Sequence, residues 1–74
     1  MQVKVKLFAS LRDGRFKEEM TDVQDNSKVI DIIEKYNIPA ETVAVSFVNG
    51  RSTENDYPLQ NGDTVSLFPP VGGC

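Results

Sequence analysis

The sequence predicts an α+β fold, a mixed sheet of four to five strands with one main helix packed across one face. Three observations predict it. Residues 2–7 alternate polar and apolar side chains with the period of two that a half-buried strand requires. Residues 28–36 set Val29, Ile30, Ile32, Ile33 and Tyr36 at helical spacing. Residues 43–48 and 64–68 then return to alternation. With 74 residues the chain forms a single small domain, of the size that buries only ~60% of the surface exposed by its unfolded form. Hydrophobic residues at 39% and charged residues at 26% suit a globular protein and not a disordered one.

Each element has a local reason. Val3, Val5 and Leu7 mark the first strand, and Asp13-Gly14 supplies a turn after it. A weaker second strand is expected over 16–23, with Phe16 and Met20 as its apolar marks, closing a hairpin. Asp25-Asn26-Ser27 is rich in side chains that cap helix N-termini, although neither Asn26 nor Ser27 has Glu or Gln three residues on. Asn37 is suited to the left-handed end of the helix, and Pro39 prevents its continuation. Val43, Val45 and Phe47 give the third strand its alternation, and Asn49-Gly50 is the strongest hairpin dipeptide in the chain. Residues 51–56 read as a polar loop, with Tyr57, Pro58 and Leu59 as a brief edge strand or a 3₁₀ turn. Asn61-Gly62-Asp63 turns the chain into a last strand with Val65 and Leu67 inward. The right-handed crossover preference places the first and last strands side by side and parallel. That order of elements is the β-grasp arrangement.

Charge and chemistry narrow the function classes. A net charge of −3 argues against binding nucleic acid or an anionic membrane, which takes a basic surface. No histidine and one cysteine exclude a His-dependent triad, a Cys/His dyad, a zinc cluster and an internal disulfide within one chain. Three carboxylate pairs, Glu18/Glu19, Asp22/Asp25 and Glu54/Asp56, sit among polar residues and read as solvated charge. No transmembrane run and no signal-like apolar stretch are present, so a soluble, cytoplasmic protein is expected.

The informative segment is the end of the chain. Pro69-Pro70 lacks backbone donors and fixes φ, so the last strand must stop there. Residues 1–70 are therefore expected to form the domain, and 71–74 a flexible Gly-Gly-Cys tail. Gly72 and Gly73 have no Cβ and suit a tail threaded into a narrow pocket of another protein.

Three stretches resemble the MoaD/ThiS family of ubiquitin-like sulfur carriers, closer to the MoaD branch. They are Val5-Lys6-Leu7-Phe8-Ala9-Ser10-Leu11-Arg12, Leu59-Gln60-Asn61-Gly62-Asp63-Thr64-Val65 and Leu67-Phe68-Pro69-Pro70-Val71-Gly72-Gly73. The resemblance implies a ubiquitin-like β-grasp protein that is a carrier and co-substrate with no catalytic residue, metal or bound cofactor of its own, or the small subunit of a molybdopterin-synthase-like complex. A ubiquitin-activating-enzyme-like adenylyltransferase uses ATP to adenylate the terminal glycine. Sulfur then replaces an oxygen, and the thiocarboxylate serves a sulfur-accepting synthase subunit in molybdopterin, tungstopterin, thiamin or cysteine biosynthesis. Transferred to this chain, Gly73 bears the thiocarboxylate and Gly72 gives the slender approach into the partner. Phe8, Leu59, Phe68, Pro69, Pro70 and Val71 form the docking surface, with a core role for Phe8 and Leu59 as the plain alternative. Arg12 matches the family but reads as a hydrated loop charge.

The chain departs from the family pattern by continuing past Gly73 to Cys74. Three readings stay open: a zinc metallopeptidase removes Cys74 and frees Gly73; the Cys74 thiol itself carries sulfur; or the protein is a non-covalent β-grasp binding subunit. A ubiquitin-like modifier conjugated through Gly73 requires the same tail as a sulfur carrier.

Overall fold

The computed structural model describes residues 1–12 and 14–70. Five strands form one mixed sheet: β1 (Gln2–Leu7), β2 (Glu18–Asp22), β3 (Val45–Val48), β4 (Arg51–Thr53) and β5 (Thr64–Phe68). The order across the sheet is β2-β1-β5-β3-β4. β1 and β5 run parallel in the middle, as the element order predicts, and the other neighbours are antiparallel. One helix, α1 (Val29–Lys35), crosses one face, and 3₁₀ turns occupy Ala9–Arg12 and Ala40–Thr42. No helix among the described residues is long and apolar enough to cross a membrane.

The core lies between the two central strands and the helix. Val3, Val5, Leu7, Val65 and Leu67 are fully buried against Val29, Ile32 and Ile33. Burying each such side chain contributes roughly 1.5–3 kcal/mol, which is what holds a seven-residue helix too short to persist alone.

The helix starts and stops by different means. The Lys28 amide donates to Asp31 Oδ2 at 2.8 Å, so the N-cap sits one residue later than the capping triplet suggests and finds its carboxylate at Asp31. Loop carbonyls supply the next partners: the Val29 amide donates to Tyr57 and the Ile30 amide to Asn55. At the other end Asn37 takes φ 56. The Asn37 amide donates to Glu34 and the Ile38 amide to Ile33, each at 3.0 Å, while Ile38 is buried. This is the Schellman closure with its hydrophobic contact.

Three expectations are corrected. Residues 51–56 are not all loop: a two-residue turn, Asn49 at φ 54 and Gly50 at φ 84, folds Arg51–Thr53 back as edge strand β4, so residues 57–59 contribute only a bridge between Lys28 and Pro58. In β3 the alternation runs opposite to the apolar marks. Ser46 and Val48 are buried while Val45 is 38% exposed and Phe47 half-buried. Pairing decides this, because Ser46 opposes Leu67 and Val48 opposes Val65, and β5 has both of those residues in the core. In β2, which is shorter than 16–23, Thr21 is buried opposite Val3 and Met20 faces solvent at 51% exposure.

Candidate functional site

β5 brings the chain to the sheet's open face at Phe68. The Phe8 amide donates to the Leu67 carbonyl at 3.2 Å and the Ala44 amide to the Phe68 carbonyl at 2.8 Å, so the last strand is hydrogen-bonded on both sides to its end. Pro69 and Pro70 follow, with no amide to continue the ladder. The strand therefore ends where the sequence predicts.

Around that point three aromatic rings converge. Phe8 stacks on Phe68 with centroids 4.3 Å apart and planes 9° from parallel. Phe47 meets Phe68 edge to face, at 5.5 Å and 72°. Offset and edge-on contacts of this kind add about 0.5–1.5 kcal/mol beyond area burial. All three rings are half-buried. Beside them, Phe47, Gly50, Ser66 and Phe68 line a shallow depression of about 280 Å³.

The turn after β1 holds the first ring in place. Ala9 adopts φ 53, a left-handed backbone that costs a non-glycine residue about 1 kcal/mol. The Leu11 amide then donates to the Phe8 carbonyl at 3.1 Å, and the Leu11 side chain is buried in the core. Arg12 is not a hydrated loop charge. It is half-buried, its Nε donates to the Leu7 carbonyl at 2.6 Å, and its guanidinium carbon lies 5.2 Å from the Phe8 ring centroid.

The predicted docking residues thus separate into groups. Phe8, Phe68 and Pro69 come together at the strand end, with Pro70 exposed beyond them. Leu59 does not join them: it is 3% exposed within the core, and its amide donates to the Ser27 carbonyl beside the start of α1. Its family-like position serves packing, and it is withdrawn from the docking surface. Val71, Gly72, Gly73 and Cys74 lie outside the described residues. Sequence reasoning missed Phe47, whose strand parity is set by its partner Ser66 and is invisible without the register.

Elsewhere among the described residues the titratable groups do not converge. Glu18 and Glu19 are adjacent in β2 and point to opposite faces; Glu18 lies 3.9 Å from Lys4, and Glu19 accepts a 2.8 Å hydrogen bond from Tyr36. Burial is the main cause that pushes the Tyr36 phenol above its ordinary value, with the neighbouring Glu19 adding to it. Among the described residues no group of three acidic or sulfur side chains could hold a metal ion. A second, polar depression of about 520 Å³ lies between β2 and α1, lined by Asp22, Val23, Gln24, Ser27, Asp31 and Lys35, and includes none of the tail-root residues.

Comparison with known proteins agrees with this geometry. The model of the ThiS family matches residues 5–73. A Pyrococcus furiosus protein described as molybdopterin converting factor, subunit 1, is 33% identical, over 96% of this chain and 99% of its own, with a TM-score of 0.74. A chain from the complex of subunits 1 and 2 of molybdopterin-converting factor of Helicobacter pylori 26695 is 25% identical over 100% of both chains, with a TM-score of 0.68. SAMP1 from Haloferax volcanii shares the fold, with 24% identity over 100% of both chains and a TM-score of 0.78. Among curated proteins no match is found.

Proposed function

The chain belongs to the ThiS family, and on that premise we propose that it is a sulfur carrier working through the carboxylate of Gly73. In this reading residues 1–70 form the body and 71–74 the tail. Hydrolysis after Gly73, by a zinc metallopeptidase that removes Cys74, frees the carboxylate. A carboxylate is a poor electrophile. A ubiquitin-activating-enzyme-like adenylyltransferase therefore joins it to the α-phosphate of ATP, releasing pyrophosphate and making AMP a good leaving group. A sulfur nucleophile then displaces AMP, and the thiocarboxylate is delivered to a sulfur-accepting synthase subunit. The likeness to subunit 1 of molybdopterin-converting factor supports a pterin product.

The observation that carries the reading is the aromatic cluster of Phe8, Phe47 and Phe68 at the point where the central strand ends in two prolines. The body presents an apolar contact surface at the root of the segment that the family match follows to Gly73.

Intact mass tests it. The chain ending at Gly73, incubated with the adenylating enzyme, ATP and a sulfur donor, should gain the mass difference between sulfur and oxygen. Isopeptide-linked products on lysines of other proteins would favour a protein modifier instead. Persistence of Cys74 in protein isolated from its host, with no charging of the shortened chain, would leave a non-covalent binding subunit.

A further inference from the structure

Two asparagines in the chain precede a glycine, Asn49 before Gly50 and Asn61 before Gly62. In such a pair the glycine amide nitrogen can attack the asparagine side chain, because no Cβ stands in its way. The two pairs differ in what holds the attacking group. The Gly62 amide donates to the Gln2 carbonyl at 2.7 Å, and Asn61 Oδ1 accepts from the Gln2 amide at 2.8 Å, so both reacting groups are bound to the start of β1. The amides that follow the left-handed Asn26 and Asn37 are likewise committed, to the Gln24 and Ile33 carbonyls. The Gly50 amide has no hydrogen-bond partner among the described residues. Asn49 and Gly50 are both exposed, and the space beside the Gly50 Cα is open.

What restrains Asn49 is its side chain. Its Nδ2 donates to Asp63 Oδ1 at 2.9 Å, and its Oδ1 accepts from the Thr64 amide at 3.0 Å. Asp63 is only 9% exposed, and its Oδ2 accepts from the Gln60 amide. The turn between β3 and β4 is thus joined to the entry of β5 through a donor on Asn49. Oxygen in place of that amide nitrogen would set two carboxylates at hydrogen-bond distance with no proton between them, where water screens them poorly.

We propose that Asn49 is a site of spontaneous deamidation, and that its product releases the β3–β4 hairpin from β5. When the side chain leaves Asp63, the Gly50 nitrogen gives up its proton and bonds to Asn49 Cγ. The Cγ–Nδ2 bond breaks, ammonia leaves with that proton, and a cyclic imide remains. Water then opens the ring at one of its two carbonyls, leaving an aspartate or its β-linked isomer at position 49. Both are ionised near neutral pH, and neither donates to Asp63. The isomer also adds a backbone atom to a two-residue turn whose length fixes the pairing of Val48 with Arg51. β3 carries Phe47 and β5 carries Phe68, so the release reaches the aromatic cluster.

Peptide mass mapping of the full chain, kept warm in mildly alkaline buffer, tests the site. The peptide holding Asn49 should gain the mass difference between a hydroxyl and an amino group at least about tenfold faster than the peptide holding Asn61, the ratio that one committed amide hydrogen bond supplies. Urea unfolding tests the consequence. Asn49→Asp should lower the midpoint, whereas Asn61→Asp keeps its acceptor for the Gln2 amide and should leave it nearly unchanged. Adding Asp63→Asn to Asn49→Asp reverses donor and acceptor, and should restore most of the loss. Equal or faster conversion at Asn61 overturns the inference, as does an undiminished midpoint in Asn49→Asp or an equal fall in Asn61→Asp. If Asn49→Asp does not fold, folding of the double variant supports the inference and its failure overturns it.

Discussion

Phe8 lies face to face on Phe68 at 4.3 Å, joining the end of the first strand to the end of the last. β1 and β5 are parallel neighbours, so their ends emerge at the same edge of the sheet, and one stacked pair fixes the place from which the chain continues past Phe68. Phe8→Ala should lower unfolding stability by about 1–2 kcal/mol through lost stacking and burial. On the proposed function, in which this ring belongs to the docking surface, it should also lower kcat/KM for adenylation by at least about tenfold. Urea unfolding alongside pyrophosphate exchange measures both, and unchanged exchange would remove the ring from the docking surface.

Leu59, a core residue, should give the opposite result. At 3% exposure it is packed with Val29, Val65 and their neighbours. Leu59→Ala should cost about 2–5 kcal/mol, the range for a buried leucine that leaves a cavity. Adenylation of the fraction that remains folded should keep the wild-type KM. A cost below about 1 kcal/mol would place Leu59 at the surface.

Asp63 links two turns. Its Oδ1 accepts from Asn49 Nδ2 at 2.9 Å and its Oδ2 from the Gln60 amide at 2.8 Å, while Asn49 Oδ1 accepts from the Thr64 amide at 3.0 Å. The β3–β4 hairpin is thereby tied to the entry of β5. Asp63→Ala leaves Asn49 Nδ2 and the Gln60 amide without their acceptor and should cost about 1–3 kcal/mol in chemical unfolding.

Tyr36 gives the fold an alkaline limit. Its phenol donates to Glu19 Oε2, and burial raises its pKa above the ordinary value. Raising an acid's folded pKa favours the neutral form. The contribution is therefore complete below the unfolded value of about 10, and it is lost as pH rises through the higher folded value. The stability difference between wild type and Tyr36→Phe should be at most about 1 kcal/mol near neutrality, since the hydrogen bond to Glu19 is exposed to solvent although the ring is partly buried. It should fall toward zero, or reverse, once the phenol ionises. Urea midpoints of both proteins, from about pH 8 to about pH 11.5, give the difference free of other titrating groups.

The tail provides the cleanest separation of folding from function. Deleting Gly72, Gly73 and Cys74 should abolish sulfur transfer and leave thermal unfolding almost unchanged. A large drop in unfolding temperature on that deletion would show that those residues support the body.

What could be read in advance was set by neighbours along the chain. The alternation of Val3, Val5 and Leu7, the left-handed Asn37 followed by Pro39, the turn at Asn49-Gly50 and the stop at Pro69 each depend on one or two residues and on backbone sterics. The resemblance to the ThiS family likewise needed only the order of residues.

Pairing and burial decided the rest. Residues 43–48 carry apolar side chains of both parities, so no local rule could say whether Phe47 or Val48 faced the helix; opposition to Val65 placed Val48 inside and put Phe47 on the open face. Leu59 and Phe8 are both apolar residues beside turns, and only three-dimensional contacts sent one to the core and the other to the tail root. Arg12 is a charged loop residue in the sequence, and became a fixed guanidinium because the carbonyl of Leu7 and the ring of Phe8 both lie within its reach. Local sterics act between adjacent residues and are legible in a sequence; register and long-range contact depend on which segments meet, and that is settled only when the chain folds.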